Sequence, residues 1–377
     1  MKILILANDS NGLLLFREEL IRELLCPNVY IDSNPINSKK NEVIISVPDT
    51  KEKNKFEDIG CKVIISRFKR NGKNPINDLL LSFQYIKIIK KYKPNIILTY
   101  TIKPNIYGGV AAYVCRKPYI TNITGLGTSI YKDNFLSKII KKLYYLGVYR
   151  SSAIFVQNEH NLKFFKKNIL KNANYILIPG SGINLSKFTY KKYPEKQTPI
   201  RFLTIGRIMR DKGIDELLSA IQRIKIKFGD KVEFDLAGSF DEVSYKILID
   251  ELNNKKIINY LGHRDNIPQI IGDYHCIIHP SYHEGLSNVL LEAGASGRPV
   301  IASDIPGCSE TFVDNLSGLA IKVKDSDDLT RKIEEFIRLP YEQKSQMGFE
   351  NRRHVEKKFD RKIVVNNYLE CIKKYAK

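Results

Sequence analysis

The chain lacks most of the features that assign a protein to a class directly. No apolar run in its 377 residues reaches the ~18 needed to cross a bilayer. Its six cysteines (Cys26, Cys61, Cys115, Cys276, Cys308, Cys371) are scattered, with no CxxC pair and no metal-ligand spacing. A disulfide framework and a structural zinc site are therefore not expected, and the cysteines read as reduced thiols of a cytoplasmic protein. After the first apolar run, KILILA, comes NDSNGLLLF, with one glycine, Gly12, where a dinucleotide fingerprint needs the three of GxGxxG. Those glycines serve a tight turn and the close approach of backbone to pyrophosphate, so their absence argues against a dehydrogenase. Gly12 either offers backbone N–H groups to an anion at the strand–helix junction or serves the turn alone. Internal repeats and low-complexity segments are missing as well. The opening MKILILANDS has one lysine and no small-residue cleavage site, and reads as a first buried strand, not a secretion signal.

Charge is plentiful. With 43% hydrophobic and 27% charged residues the chain has the composition of a soluble globular protein. Its net charge of +20 is unevenly placed: residues 1–190 hold 30 Lys+Arg against 13 Asp+Glu, residues 191–377 hold 31 against 28. The basic excess belongs to the first half. It points to an anionic partner there, whether a membrane surface, nucleic acid or a diphosphate-bearing substrate.

Short β-branched runs bounded by turn residues recur along the first half: KILILA, EVIISV, KVIIS, NIILTY, YITNIT, AIFVQN and YILIPG. Near-continuous apolar runs of this length suit parallel strands buried on both faces, and helical patterns lie between several of them. The series restarts with RFLTIG, EFDLAG, INYLGH, CIIHPS, PVIAS and GLAIKV. Strand and helix in alternation give parallel α/β sheets with right-handed crossovers. The expected fold is thus two Rossmann-like domains facing a cleft. The first spans 1–184 with 357–377 packing back on it, and the second spans 185–356. SKFTYKKYPEKQTP reads as a polar linker between them. HVEKKFDRKIVVNNYLECIKKY reads as one last helix, and the polar segment 26–41 as a surface loop.

Two stretches carry chemistry. In RFLTIGRIMRDKGIDELL, Arg207 follows a strand and Lys212 stands five residues on, beside Gly213 and before a helix. Loops at strand ends of an open α/β sheet face its crevice, and an Arg with a Lys in one such loop can clamp a diphosphate. Basic residues in a loop can equally be solvated. In HEGLSNVLLE, Gly285 permits a tight turn and Ser287 or Asn288 can cap the helix that follows. Glu284 then precedes that helix, whose free N–H groups at Leu286, Ser287 and Asn288 would attract an anion. Glu292 lies two turns in, among mostly apolar neighbours. It is either an exposed carboxylate or a partly buried one awaiting ligand hydroxyls.

The ordered set GRIMRDKG, LAGS, LGHRDNI, HPSYHEGLSNVLLEAGASGRPVIASDIPG and NLSG resembles the C-terminal domain of the family-4 retaining glycosyltransferases of GT-B fold, whose mark is a Glu-x7-Glu element. In the N-terminal half, LLLFREELIRELL, ITGLGTSIY, FVQNEHNLKFF and IPGSGINLSKF resemble a narrower subgroup. Its members build capsule, O-antigen or N-linked glycan repeats on a lipid carrier, the lipid-linked α-1,3-N-acetylgalactosaminyltransferases among them. The resemblance implies a UDP-sugar donor, with Arg207 and Lys212 on its diphosphate and Glu284 on its sugar. It places Leu286, Ser287 and Asn288 as backbone donors and Glu292 on the ribose. Gly206 and Gly285 belong to the same loops, and His263, Arg264 and Ile267 would lie near the base. Many relatives carry a histidine or glutamate in the N-domain loop that here reads ITGLG; Thr124 stands in its place, so no acid or base is carried over to that loop.

Retention does not require two carboxylates flanking the bond, as retaining glycosidases use. The departing diphosphate, stabilised by Arg207, Lys212 and the helix N-terminus, could take the acceptor's proton on the same face. No DxD-type acidic pair stands near this loop, so metal-independent transfer is expected. SKIIKKLYYLGVYR, read as a helix, sets Ile139, Ile140, Leu143 and Tyr144 against Lys138, Lys141, Lys142, Tyr145 and Tyr149. Together with YIKIIKKYK it fits an anionic membrane surface. The expected partners are a UDP-sugar, an undecaprenyl-diphosphate-linked glycan and the inner face of the cytoplasmic membrane, with no nucleic acid, for a monomer or weak dimer. A UDP-sugar epimerase of similar architecture and a non-catalytic nucleotide-sugar-binding protein are the alternatives.

Overall fold

A computed structural model of the chain describes residues 1–27, 41–68, 75–125, 130, 134–196 and 199–376. They form two compact units, Met1–Ser181 with Lys362–Lys377, and Gly182–Arg361. All thirteen apolar runs are strands. In the first unit β1 (Lys2–Leu6), β2 (Glu42–Val47), β3 (Lys62–Ile65), β4 (Ile96–Tyr100), β5 (Tyr119–Ile123), β6 (Ala153–Val156) and β7 (Tyr175–Leu177) make a parallel sheet of order β3-β2-β1-β4-β5-β6-β7. In the second, β8 (Ile200–Ile205), β9 (Val232–Ala237), β10 (Asn259–Gly262), β11 (Cys276–His279), β12 (Val300–Ser303) and β13 (Gly318–Ile321) are parallel in the order β10-β9-β8-β11-β12-β13. The alternation of a buried strand shows in β1. Ile3 and Ile5 join one apolar cluster with the helix Ser10–Leu25, while Leu4 and Leu6 join another with the helix Pro75–Tyr92. In each sheet the strand order reverses beside the first strand, between β1 and β4 and between β8 and β11. Loops leaving the carboxyl ends diverge at such a point and leave room for a ligand.

The last helix is two. Tyr341–Phe359 ends at Asp360, whose backbone is extended, and Arg361–Tyr375 follows. The break is fixed by pairing with another strand of chain: Ile183 donates to Phe359 O (2.8 Å) and Arg361 donates to Ile183 O (3.0 Å). Gly182, at φ +65°, allows this, since a Cβ there would lie 2.5 Å from the Arg361 α-carbon. A helical period continues through such a break, so the apolar pattern hid it. The expected polar linker also proves to be packed. Phe188 and Tyr193 are buried, and the buried Arg298 guanidinium binds the carbonyls of Lys191 and Lys192 (2.9 and 2.8 Å). Residues 28–40 of the expected surface loop lie outside the described residues, as do 126–129 and 131–133 around the ITGLGTSIY loop.

Arg361–Tyr375 supplies Val364, Val365, Tyr368, Cys371 and Ile372 to the core of the first unit. Tyr368 stacks on Tyr100 (centroids 6.3 Å), meets Phe155 edge-on (4.6 Å) and gives its hydroxyl proton to Asn122. The buried guanidinium of Arg17, from the LFREEL stretch, lies over both tyrosine rings at 5.4 and 5.8 Å. A buried cation is costly unless its surroundings hold it; Arg17 donates to Phe16 O (2.8 Å) and the two ring faces add a polarisable environment.

The helix Phe135–Val148, capped by Asn134, departs from the expected division of faces. Tyr144 is buried, and Ile140 and Leu143 are half-buried, but Ile139 is 41% exposed. It shares the outer side with Phe135, 80% exposed, and with Leu146. Among the described residues no helix is long and apolar enough to cross a membrane.

Tyr368→Ala should destabilise the first unit by about 3–5 kcal/mol, the cost of removing a buried aromatic ring. Urea unfolding followed by tyrosine fluorescence measures it, and an unchanged transition would show that the returning helix is not part of that core.

Candidate active site

The site is built where two loops of the second unit meet at the reversal of strand order. Three adjacent strands end in glycines: Gly206 after β8, Gly238 after β9 and Gly262 in β10. Gly206, at φ +155°, lies so close to Gly238 that a Cβ on the latter would come 1.7 Å from its carbonyl oxygen. Beyond Gly206, Arg207 is exposed and paired with Asp241 (2.7 Å). The chain then makes a single tight turn, Arg210–Lys212, and Gly213, at φ +69°, opens the helix Ile214–Phe228. A Cβ on Gly213 would sit 2.1 Å from Pro280 O, so only glycine lets this loop lie against the one after β11. Tyr282 fastens the contact, its N–H on Asp211 O (2.9 Å) and its hydroxyl on the Glu216 carboxylate (2.7 Å).

That approach brings Lys212 to Glu284. The ammonium lies 2.5 Å from Glu284 Oε1, and the same oxygen receives His279 Nε2 at 2.9 Å. His279 is the last residue of β11 and is buried; its Nε2 is also 3.1 Å from Ser287 Oγ. Ser287 caps the helix Asn288–Ala295 by accepting from the N–H of Leu290 (3.4 Å). Gly307, at φ +88°, leaves room for the carbonyls of Glu284 and Gly285, each 2.7 Å from where its Cβ would be.

The two glutamates titrate in opposite directions. Burial alone would raise the Glu284 carboxyl, but the His279 bond and charge, with Lys212, outweigh it and bring it down to about 2. Burial pushes Glu292 up to about 7, opposed by the charges of Lys187 and Arg361. No hydrogen-bond partner for the Glu292 carboxylate is found among the described residues. A half-buried carboxylate left so keeps its lone pairs open to donors from outside the chain, water or ligand.

Several expected roles change. The Ser287 N–H is already given to Gly307 O (2.7 Å), which removes it from the expected anion-binding set. The N–H groups of Leu286 and Asn288 have no partner among the described residues. Gly12, in the first unit, gives its N–H to the capping carboxylate of Asp9 (2.9 Å), so its place is explained by the turn and not by an anion. His263 pairs with Asp265 (3.1 Å) and, with Arg264, stands exposed after β10, while Ile267 packs against the apolar cluster that holds Leu286. His279 and Asp241 went unassigned in the sequence. The only hint of His279 was a histidine ending an apolar strand five residues before Glu284. Among the described residues no group of three or more His, Cys, Asp or Glu could hold a metal ion.

The chain has relatives among the glycosyltransferases. The family of glycosyl transferases group 1 matches residues 186–354, and a glycosyl transferase 4-like family matches 2–158. Over 315 residues the chain is 30% identical to the N,N'-diacetylbacillosaminyl-diphospho-undecaprenol alpha-1,3-N-acetylgalactosaminyltransferase of Campylobacter jejuni, covering 79% of this chain and 82% of that one. It is 27% identical to a capsular polysaccharide biosynthesis glycosyltransferase of Staphylococcus aureus over 76% of this chain and 79% of that one. Among solved structures, Anabaena HepE in complex with UDP superposes with a TM-score of 0.77 at 16% identity, over 99% of this chain and 100% of that one, a likeness of fold. The two Rossmann-like parallel sheets are those of the GT-B architecture, as expected.

The raised Glu292 carboxyl has a consequence for stability. In the folded chain it keeps its proton up to about pH 7, whereas the ordinary value is 4.5. The folded state therefore loses stability as pH rises through that window and carries the full penalty above it. Glu292→Gln should make the unliganded protein more stable at pH 8 by about 1–3 kcal/mol, at ~1.36 kcal/mol per unit, with no gain at pH 4.5. Unfolding curves at the two pH values check both the sign and the window.

Proposed function

The chain belongs to the glycosyl transferases of group 1, and from that premise we propose that it moves a hexose or N-acetylhexosamine, N-acetylgalactosamine foremost, from a UDP-sugar to a glycan on undecaprenyl diphosphate. Transfer retains the anomeric configuration, needs no metal ion, and serves a bacterial surface polysaccharide or glycoprotein glycan. The observation that carries the reading is the Lys212–Glu284–His279 network at the mouth of the helix Asn288–Ala295. The name of the Campylobacter relative supports the donor sugar and the acceptor.

In this reading the donor diphosphate draws Lys212 from Glu284 and Arg207 from Asp241, and takes the N–H groups of Leu286 and Asn288. Each well-placed donor of this kind is worth about 2.7–4 kcal/mol where charge develops on a leaving group. The sugar's C1–O bond to phosphate breaks, the acceptor hydroxyl attacks from the same face, and its proton passes to the departing phosphate oxygen. Glu284, ionised down to about pH 2, accepts hydrogen bonds from the sugar and cannot serve as an acid. Glu292 accepts from the ribose hydroxyls.

The enzyme works at the inner face of the cytoplasmic membrane, held there by its basic first unit. The outer side of Phe135–Val148 exposes Phe135, Ile139, Tyr145 and Leu146 among Lys138 and Lys142, and no Asp or Glu occurs from 134 to 158. Apolar and aromatic side chains interleaved with lysines suit an anionic bilayer.

A panel of nucleotide sugars, read by thermal shift and by acceptor-dependent UDP release, tests the activity. A UDP-sugar should stabilise the native state and turn over in EDTA. Stabilisation by GDP-sugars alone, or strict dependence on Mg²⁺, would overturn it. Glu292→Gln should raise the donor KM by about tenfold with a smaller effect on kcat, and Glu284→Ala should lower kcat by about a hundredfold. Co-flotation with phosphatidylglycerol vesicles at low salt tests the membrane face. The triple variant Phe135→Ser, Lys138→Glu, Lys142→Glu should stay in the soluble fraction; if it floats like the parent, that face is not the contact.

A further inference from the structure

We propose that His279 is a positioning residue for transfer: it keeps Glu284 in place when the donor diphosphate takes Lys212 away. The inference rests on the reading that Glu284 faces the donor.

In the unliganded chain both partners use one oxygen of Glu284. Lys212 Nζ and His279 Nε2 lie 2.5 and 2.9 Å from Oε1, and no bond to Oε2 is found among the described residues. The free oxygen is the one left to receive a sugar hydroxyl. The two partners differ in mobility. Lys212 reaches Glu284 along a flexible four-carbon stem from a tight turn, and a doubly charged diphosphate offers it a stronger counter-charge than one carboxylate does. His279 is buried at the end of β11, between its own strand and the cap of the next helix, and has nowhere else to go. When Lys212 turns to the diphosphate, Glu284, only 15% exposed, keeps a charge in a poorly hydrated place. An uncompensated carboxylate there would swing toward water or take up a proton, and either would spoil its bond to the sugar. His279 is the partner that remains.

The proton on the ring is set by its neighbours. The Glu284 carboxylate offers only lone pairs, so Nε2 must carry the hydrogen it shares with Oε1. Ser287 Oγ, 3.1 Å from the same nitrogen, is already an acceptor for the Leu290 N–H. One ring thus ties the sugar-facing carboxylate to the cap of the helix whose N-terminus faces the diphosphate. A shift of either would be felt by the other, although His279 touches no part of the donor.

A double-mutant cycle tests this on the full chain, with the UDP-sugar that turns over as substrate and UDP as the binding probe. His279→Phe keeps the ring volume and removes the N–H, while His279→Gln returns an N–H of similar reach. In the parent, His279→Phe should lower kcat at least about tenfold and change UDP affinity by less than about threefold. His279→Gln should recover most of that loss. In a Glu284→Gln background the same His279→Phe change should cost less than about threefold, because the group it positions is gone. An equal loss in both backgrounds, or a fall in UDP affinity matching the fall in kcat, would make His279 a merely structural residue and overturn the proposal. Ligand-free thermal unfolding of the same four proteins separates this from the assignment of function. Additive midpoints would overturn the pairing of His279 with Glu284 whatever the donor proves to be. Coupled midpoints with no UDP-sugar turnover would leave the pairing intact and remove both its catalytic role and the function it rests on.

Discussion

Lys212 and Glu284 are 72 residues apart and meet because Gly213 has no side chain. The loop after β8 can lie on the loop after β11 only if the α-carbon of Gly213 comes against the carbonyl of Pro280, where a Cβ would be 2.1 Å away. With that contact made, the ammonium falls 2.5 Å from the carboxylate, and Glu284 becomes an anion whose charge is fixed across the whole physiological range. Gly307 repeats the device on the other side of the same loop, admitting the carbonyls of Glu284 and Gly285. The site is a place where backbones approach more closely than side chains permit, and its charges are consequences of that packing.

The parallel sheets supply the rest of the frame. In each, the order turns around beside the first strand, and the loops leaving the carboxyl ends part there. The second unit fills its divergence with compensating charges, a basic loop facing an acidic and histidine-bearing one. The first unit carries the basic excess of the chain, and on the helix Phe135–Val148 that excess is interleaved with exposed apolar rings. Under the proposed function the separation has a physical logic. A long-range attraction to an anionic surface needs many exposed like charges, whereas donor binding needs a few cations held at fixed distances and neutralised until the ligand arrives.

How much of this could be read beforehand follows from the range of the interactions concerned. The strands were legible because burial on both faces forces continuous apolar runs. The placement of Arg207, Lys212, Glu284, Ser287 and Glu292 was legible because strand ends and helix starts have local marks. What failed depended on partners far along the chain. Nothing near Ser287 says that its N–H is taken by Gly307, nothing near Phe188 says that a guanidinium more than a hundred residues away holds the segment down, and nothing within HVEKKFDRKIVV says that Ile183 breaks the helix at Asp360. Gly12 was ambiguous for a different reason: the same N–H suits an anion or an aspartate cap, and Asp9 stood three residues away. Ile139 was misplaced because a helical period locates a face only to within about one residue in four, and at the edge of an apolar stripe that margin decides exposure. His279 carried no mark of its own, for a histidine ending a buried strand reads the same whether it fills space or holds a carboxylate.

The spread between the two glutamates limits the chemistry open to the second unit. One carboxyl at about 2 and another at about 7 would, in a glycosidase, suggest a nucleophile and an acid. Here the geometry opposes that pairing. The low-titrating group is held by Lys212 and His279 through Oε1, and a carboxylate stabilised in this way is a weak nucleophile. The high-titrating group lies about one turn inside the helix Asn288–Ala295, beyond the N–H groups at its mouth. Its raised value reports burial, and hydrogen bonds from ribose hydroxyls would lower it again, leaving an acceptor of hydrogen bonds and not a proton donor. With neither carboxylate fitted to move a proton, the proposed transfer is best served by a second unit that stabilises a departing diphosphate and leaves that group to accept the proton of the incoming hydroxyl.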